Sequence, residues 1–301
     1  MGPAARFVLR AVRRLSREID VRLAREEAAL PAELRPDDSQ LTRYRELLEA
    51  FDREESSTGY LKVHGARLAR TLSLTPKGRP DQAILELGCY MQITPLLASE
   101  LGYGSVRGAY FGEAGRTETR LANVQGREVF RCEVDLFDAE TDPYPYAEGS
   151  FDLVLACEIF EHFRTDPMHM LVESRRILKP GGGLLLTTPN CASIGSVARA
   201  LRGENPQVFA QYALPDRGED RAAHVREYTP NELDRALRCA GFETEWLFTE
   251  RFEGVATETW ALELIEQAGF DPRLRGEQIY CLARKRDDAE VERYPAFLYV
   301  S

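Results

Sequence analysis

The sequence predicts an α/β fold on a mostly parallel sheet, and three observations carry that prediction. An apolar run of strand length, residues 151–156, is followed by a helix-period stretch and then a second apolar run, residues 184–188. Strand, helix and strand in that order make a parallel unit whose crossover is right-handed in nearly all cases. Further strand-like and helix-like segments alternate on both sides of it, from residue 83 onward. An acid and imidazole cluster, Glu158, Glu161 and His162, directly follows the first run. In open α/β sheets ligands gather beyond the carboxyl ends of the strands, so this cluster marks a candidate site.

The elements follow in order. Val8, Val12, Leu15, Ile19 and Leu23 form an apolar stripe among arginines, which predicts an amphipathic helix over residues 4–29. Such a helix lies on a membrane surface, docks on a partner or its own domain, or dimerises; Glu26 and Glu27 interrupt its basic face. Residues 41–51 and 59–72 carry two further helical patterns, with a polar break over 52–58. Strands are predicted at 83–87, 106–111 and 129–134, with a helix at 94–101. The helix after residue 156 includes Leu171, Ile177 and Leu178 among its apolar positions and is stopped by Lys179-Pro180-Gly181. A short helix is expected at 193–201. Residues 202–227 are polar, contain Pro and Gly and show no period, so they read as a lid or substrate loop. Residues 230–240 form a helix with Thr229 as N-cap, Pro230 at its first position, Glu232 in its first turn and Gly241 as terminator. Residues 242–248 and 278–283 are the last strands. The expected division is a helical extension (1–57), the alternating domain (58–286) and an acidic, then aromatic, tail (287–301).

Composition narrows the function. The 301-residue chain has a net charge of −10, which disfavours a broad nucleic-acid surface, although the first 25 residues hold seven arginines against Glu18 and Asp20. Six scattered cysteines without a CxxC pair point to reduced thiols and a cytoplasmic setting, with peripheral membrane contact open through the first helix. No apolar stretch approaches the roughly 20 residues of a membrane span.

The segment FDLVLACEIFEHF, with LKPGG before the next strand, resembles the class I S-adenosylmethionine-dependent methyltransferases over about residues 83–242. The resemblance implies a Rossmann-like, seven-stranded, mostly parallel sheet, the last strand antiparallel, with an N-terminal helical extension. It also implies S-adenosylmethionine as cofactor. Glu86 and Gly88 match the start of the family's acid-plus-glycine loop, whereas Tyr90 and Gln92 replace its second and third glycines. Tyr110 stands where the family usually has the ribose-binding acid, with Glu113 three residues on. Asp135 and Leu136 match the adenine position. The implied cofactor set is Glu86, Gly88, Cys89, Tyr90, Gln92, Tyr110, Asp135, Leu136 and Cys157.

If the acceptor is a hydroxyl, its pKa calls for a general base or a metal. Glu158, Glu161 and His162 stand at i, i+3 and i+4, which a helical turn would bring to one side. With His224 some sixty residues later, they resemble the magnesium-binding set of small-RNA 3′-terminal 2′-O-methyltransferases. The Glu-x-x-Glu-His portion is also similar to ubiquinone-biosynthesis O-methyltransferases. His162, His224 and Glu161 are therefore the candidate catalytic residues. Glu158, Glu161, His162 and His224 are the candidate ligands for Mg2+ or another divalent metal. The alternatives remain open: Glu158 as a helix cap, a histidine as base without metal, and Arg226 with Glu227 as a surface pair. His64 and His169 read as ordinary helix residues.

HVREYTPNEL, LRGENP and RGEQIYCLARK look like bacterial methyltransferases acting on sugars of cell-surface polysaccharides. They imply a sugar, nucleotide-sugar or glycan acceptor, with Arg202, Arg217, Arg221 and Arg226 open to its phosphate or carboxylate. RNA 2′-O-methylation and a non-catalytic scaffold in a glycan-assembly complex are the rival readings.

Overall fold

The computed structural model describes residues 30–52, 55–212, 223–254 and 258–300, without the side chains of 55–57. The helix expected over residues 4–29 therefore lies outside the described residues.

Eight strands form one sheet in the order β3-β4-β2-β1-β5-β6-β8-β7. They are β1 Ala83–Leu87, β2 Ser105–Tyr110, β3 Arg116–Val124, β4 Arg127–Leu136, β5 Phe151–Cys157, β6 Leu178–Pro189, β7 Phe242–Glu250 and β8 Gln278–Lys285. The pairs β1–β2, β1–β5, β2–β4 and β5–β6 are parallel; β3–β4, β6–β8 and β7–β8 are antiparallel. The helices are α1 Asp38–Glu49, α2 Glu55–Leu74, α3 Thr94–Ser99, α4 Pro167–Ile177, α5 Ile194–Leu201, α6 Pro230–Cys239 and α7 Thr259–Gln267.

Both faces of the sheet are covered. One face packs Val154, Leu184 and Leu186 against α4 and α6 through Met168, Leu171, Leu233 and Leu237. The other packs Ile84, Leu153 and Leu185 against α1 and α2 through Tyr44, Leu48, Leu68 and Leu72. Strands buried on both faces read as the continuous apolar runs that mark them in the sequence. The cap of α6 is a complete box: Glu232 N donates to Thr229 Oγ1, and Thr229 N donates to the Glu232 carboxylate.

The expected seven strands are eight. The added one, β3, forms a hairpin with β4 and alternates exposed and half-buried residues, so it carries little apolar signal. Its turn residues Gln125 and Gly126 both have positive φ (51° and 75°), the backbone of a tight hairpin turn. Asp52 accepts from both of their amides. The α7 helix was also not predicted.

The tail is anchored. Asp166, the N-cap of α4, accepts from His169 N, from Arg293 through both oxygens and from Tyr299 Oη at 2.6 Å. Phe297, Leu298 and Tyr299 pack on the core.

Candidate active site

The carboxyl ends of β1, β2, β4 and β5 meet in register, Leu87 beside Ala109 and Ala156, and Ala109 beside Asp135. Two neighbouring constellations sit at this edge.

The first surrounds the loop after β1. Gly88 has φ 69°, and a Cβ there would stand 2.7 Å from Ile159 Cγ2, so only glycine fits. Met91 takes φ 61° without being glycine. Glu86 is buried and accepts from Thr94 Oγ1 at 2.6 Å; burial pushes its carboxyl well above the usual range. The Cys89 side chain turns inward toward Thr94, and Gln92 and Leu136 are buried, so these residues offer backbone more than side chain to the open edge. Cys157, at the end of β5, is held as a thiol by burial, its pKa pushed up to about 12.

Aromatic rings frame the mouth. Tyr90 is 59% exposed, stands edge-on to Tyr110 at 5.0 Å between centroids, and faces Tyr60 of α2 at 6.5 Å. His64 lies 4.4 Å from Tyr60, and Arg67 donates to Tyr60 Oη at 2.7 Å. His64 thus lies on α2, as the sequence predicts, with its ring beside Tyr60. Burial, then the Arg67 charge, lowers its pKa to about 4. Residues 60, 64 and 67 share one helix face, a spacing that the sequence displays.

Arg120, from the unexpected strand β3, sits 4.5 Å above the Tyr110 ring and donates from Nη1 to the Cys89 carbonyl at 2.7 Å. It braces the loop where the family's later glycines are missing. Asp135, expected at the adenine position, engages both neighbouring strands. Its carboxylate faces across the sheet and accepts from Arg107 Nε (2.7 Å), Arg107 Nη2 (2.6 Å) and Thr117 Oγ1 (2.7 Å). Glu113 pairs with Arg116 in an exposed bridge.

The second constellation joins distant segments. Glu161 and His162 lie on a short 3-10 turn, Phe160–His162, after β5. The Glu161 carbonyl accepts from Val225 N and Arg226 N, which seats His224 beside them. Glu161 is fully buried: Oε2 accepts from Thr188 Oγ1 at 2.9 Å, and Oε1 has no hydrogen-bond partner. Burial, then the Glu158 charge, pushes its carboxyl well above the usual range. Oε1 faces His162 Nε2 at 4.0 Å and His224 Nε2 at 3.9 Å. His162 Nδ1 meets the Ala223 carbonyl at 3.2 Å, and His224 Nδ1 meets Glu227 Oε1 at 3.0 Å. Phe209 packs on the His224 ring at 4.9 Å and on Phe252 at 6.1 Å.

Glu158 does not join this group. Its φ of 55° is left-handed, which breaks the expected helical turn before it forms. Its Oε1 instead accepts from Thr187 Oγ1 (2.8 Å) and Gln278 Nε2 (2.7 Å), with Arg67 3.8 Å away. Among the described residues, Glu161, His162 and His224 place one ligand atom each within 4.8 Å of one another. One carboxylate oxygen and two imidazoles suit a borderline transition ion better than Mg2+, which prefers an all-oxygen shell.

Of the acceptor-binding arginines expected, Arg202 pairs with Glu258 and Glu204, and Arg226 pairs with Glu232. Arg217 and Arg221 lie outside the described residues. Glu227, Phe209, Phe252 and Arg120 were not foreseen; the only sequence hint for Glu227 is its position three residues after His224.

A mostly parallel sheet of this order, with a glycine turn after β1 and a charged cluster after β5, has the architecture of the class I methyltransferase fold. The chain belongs to the methyltransferase-domain family, whose profile matches residues 60–246. It is similar to the 27-O-demethylrifamycin SV methyltransferase of Amycolatopsis mediterranei, 32% identical over 160 residues that cover 51% of this chain and 53% of the relative. It is also similar to the ubiquinone biosynthesis O-methyltransferase of Dinoroseobacter shibae, 31% identical over 160 residues, 53% of this chain and 59% of the relative. The chain thus spans little more than half the length of these relatives. Among solved structures it is similar to a SAM-dependent methyltransferase from Archaeoglobus fulgidus, 18% identical, with 77% of this chain and 100% of that chain covered and a TM-score of 0.48. The chain thus carries a methyltransferase domain. No described helix is long and apolar enough to cross a membrane.

Proposed function

We propose that this methyltransferase moves the methyl group of S-adenosylmethionine to a hydroxyl, with Glu161, His162 and His224 as the centre that activates it. The observation that carries the reading is the buried, unpartnered Glu161 Oε1 facing two Nε2 atoms. A buried polar atom without a partner is costly, and a substrate hydroxyl or a cation would satisfy it. The two similar proteins named above are O-methyltransferases or act at a 27-O position by their names. The cofactor would rest on the backbone of Gly88, Cys89 and Tyr90, with Tyr60, Tyr90 and Tyr110 offering ring faces to a purine and a sulfonium.

When bound, the cofactor supplies an electrophilic methyl carbon. The chain's task is to hold the acceptor oxygen in line with it and to take the hydroxyl proton, and His224 Nε2 is the atom placed to receive that proton. A divalent cation on Glu161, His162 and His224 is a second reading, favoured by the same orphan oxygen; it would lower the hydroxyl pKa instead. We take the acceptor to be a sugar or glycan hydroxyl, on the motifs around residues 224–233 and 275–285 and the Phe209–Phe252 wall, whose rings suit a sugar's C–H face.

The test is transfer from methyl-labelled cofactor to a panel of glycosides, phenols and short RNAs, with and without EDTA. O-methylation that His224→Ala removes supports the reading, and EDTA sensitivity selects the metal form. Transfer that is indifferent to His224→Ala and Glu161→Gln would refute the assigned centre.

A further inference from the structure

We infer that Glu227 is a positioning residue: it sets the tautomer of His224 and ties residues 202–212 to the acceptor side. The inference rests on the reading of His224 given under Proposed function and names what orients that ring.

The expected surface pair with Arg226 does not form. Glu227 is 4% exposed, and Arg226 bonds Glu232 instead. Two backbone N–H groups and one imidazole nitrogen converge on the Glu227 carboxylate: Phe209 N donates to Oε1 at 2.8 Å, Val208 N donates to Oε2, and His224 Nδ1 lies 3.0 Å from Oε1. A carboxylate receiving such donors is acceptor only, so the imidazole hydrogen belongs on Nδ1. The lone pair is then on Nε2, the atom that faces Glu161 Oε1. The opposite tautomer would set a lone pair against Glu227 Oε1 at hydrogen-bond distance, 3.0 Å, whereas Nε2 and Glu161 Oε1 are 3.9 Å apart; the closer clash disfavours that tautomer by about tenfold or more. Carboxylates commonly orient imidazoles in this way at catalytic and metal sites.

The same carboxylate holds the backbone at Val208 and Phe209, and the Phe209 ring lies on His224. One buried group therefore orients the ring and seats the segment that walls it. Arg199 secures the adjoining turn, donating to the carbonyls of Asn205, Pro206 and Gln207.

The test is the long-range nitrogen–proton spectrum of 15N-histidine-labelled, EDTA-treated full-length protein. With four histidines in the chain, His224→Asn assigns the signal. His224 is expected as the Nδ1–H tautomer in the wild type. Glu227→Met removes the acceptor and should shift His224 to the Nε2–H form that an unpartnered imidazole favours. Glu227→Gln keeps one oxygen, able to serve both Phe209 N and Nδ1, and should restore Nδ1–H. An Nε2–H signal in the wild type overturns the inference even if Glu227→Met fails to fold, as does Nδ1–H persisting in folded Glu227→Met. Because neither cofactor nor acceptor is present, failure here leaves the methyl-transfer test separate.

Discussion

Arg120→Met probes how a cofactor loop works with one glycine in place of three. The substitution keeps most of the aliphatic stem and removes three interactions. The bond from Nη1 to the Cys89 carbonyl, 2.7 Å long, is charge-assisted and is worth about 1.5–3 kcal/mol. The stack on Tyr110, at 4.5 Å and partly open to water, adds about 0.5–1 kcal/mol. The bridge to Glu118 at 3.3 Å is half exposed and counts for little. Water can replace part of the first bond, so the loss centres on about 2 kcal/mol. If that energy holds the loop in its binding shape, S-adenosylhomocysteine should bind about 30-fold more weakly. Calorimetric titration of wild type and Arg120→Met reads this directly, with Arg120→Lys expected in between. Equal affinities in two proteins of equal thermal stability would refute the bracing role.

Three further outcomes follow from the same structure. Glu161→Gln removes a buried carboxyl whose charged form the fold disfavours, so the melting temperature at pH 7 should rise by roughly 2 °C or more while transfer is lost; a lower melting temperature with transfer retained would contradict the assignment. His64 has a folded pKa lowered to about 4, so the unfolded chain takes up its proton first as pH falls; stability should decline from about pH 6.5 toward pH 4, and His64→Gln should flatten that part of the melting profile. Asp166→Ala deletes an N-cap and the anchor of Arg293 and Tyr299, so the urea midpoint should fall by an amount equal to about 2–3 kcal/mol, with faster proteolysis of the tail.

What the sequence made legible has a physical pattern. The β5–α4–β6 unit stood out because strands covered on both faces are almost wholly apolar, and α6 because its box, proline and glycine punctuate both ends. Strand β3 was hidden because its half-buried positions are largely polar, so the alternation carries no apolar signal. Glu161, His162 and His224 are brought together as anticipated, through backbone bonds from the Glu161 carbonyl. Glu158 was misplaced because spacing arguments assume a helical backbone, and a left-handed residue at the strand end cancels them. Glu227 reads as a surface acid since nothing in a single sequence shows that two backbone amides and an imidazole will close over it. Arg120 belongs to the same case, since its role exists only once β3 lies beside the loop.

If Glu161, His162 and His224 activate the acceptor, the cofactor's reactive end faces them across the end of β5. A crystal structure with S-adenosylhomocysteine tests it most directly. The nucleoside is expected against Tyr90 and Tyr110, with the sulfur turned toward the two Nε2 atoms. A cofactor bound with its sulfur directed away from His162 and His224 would contradict it.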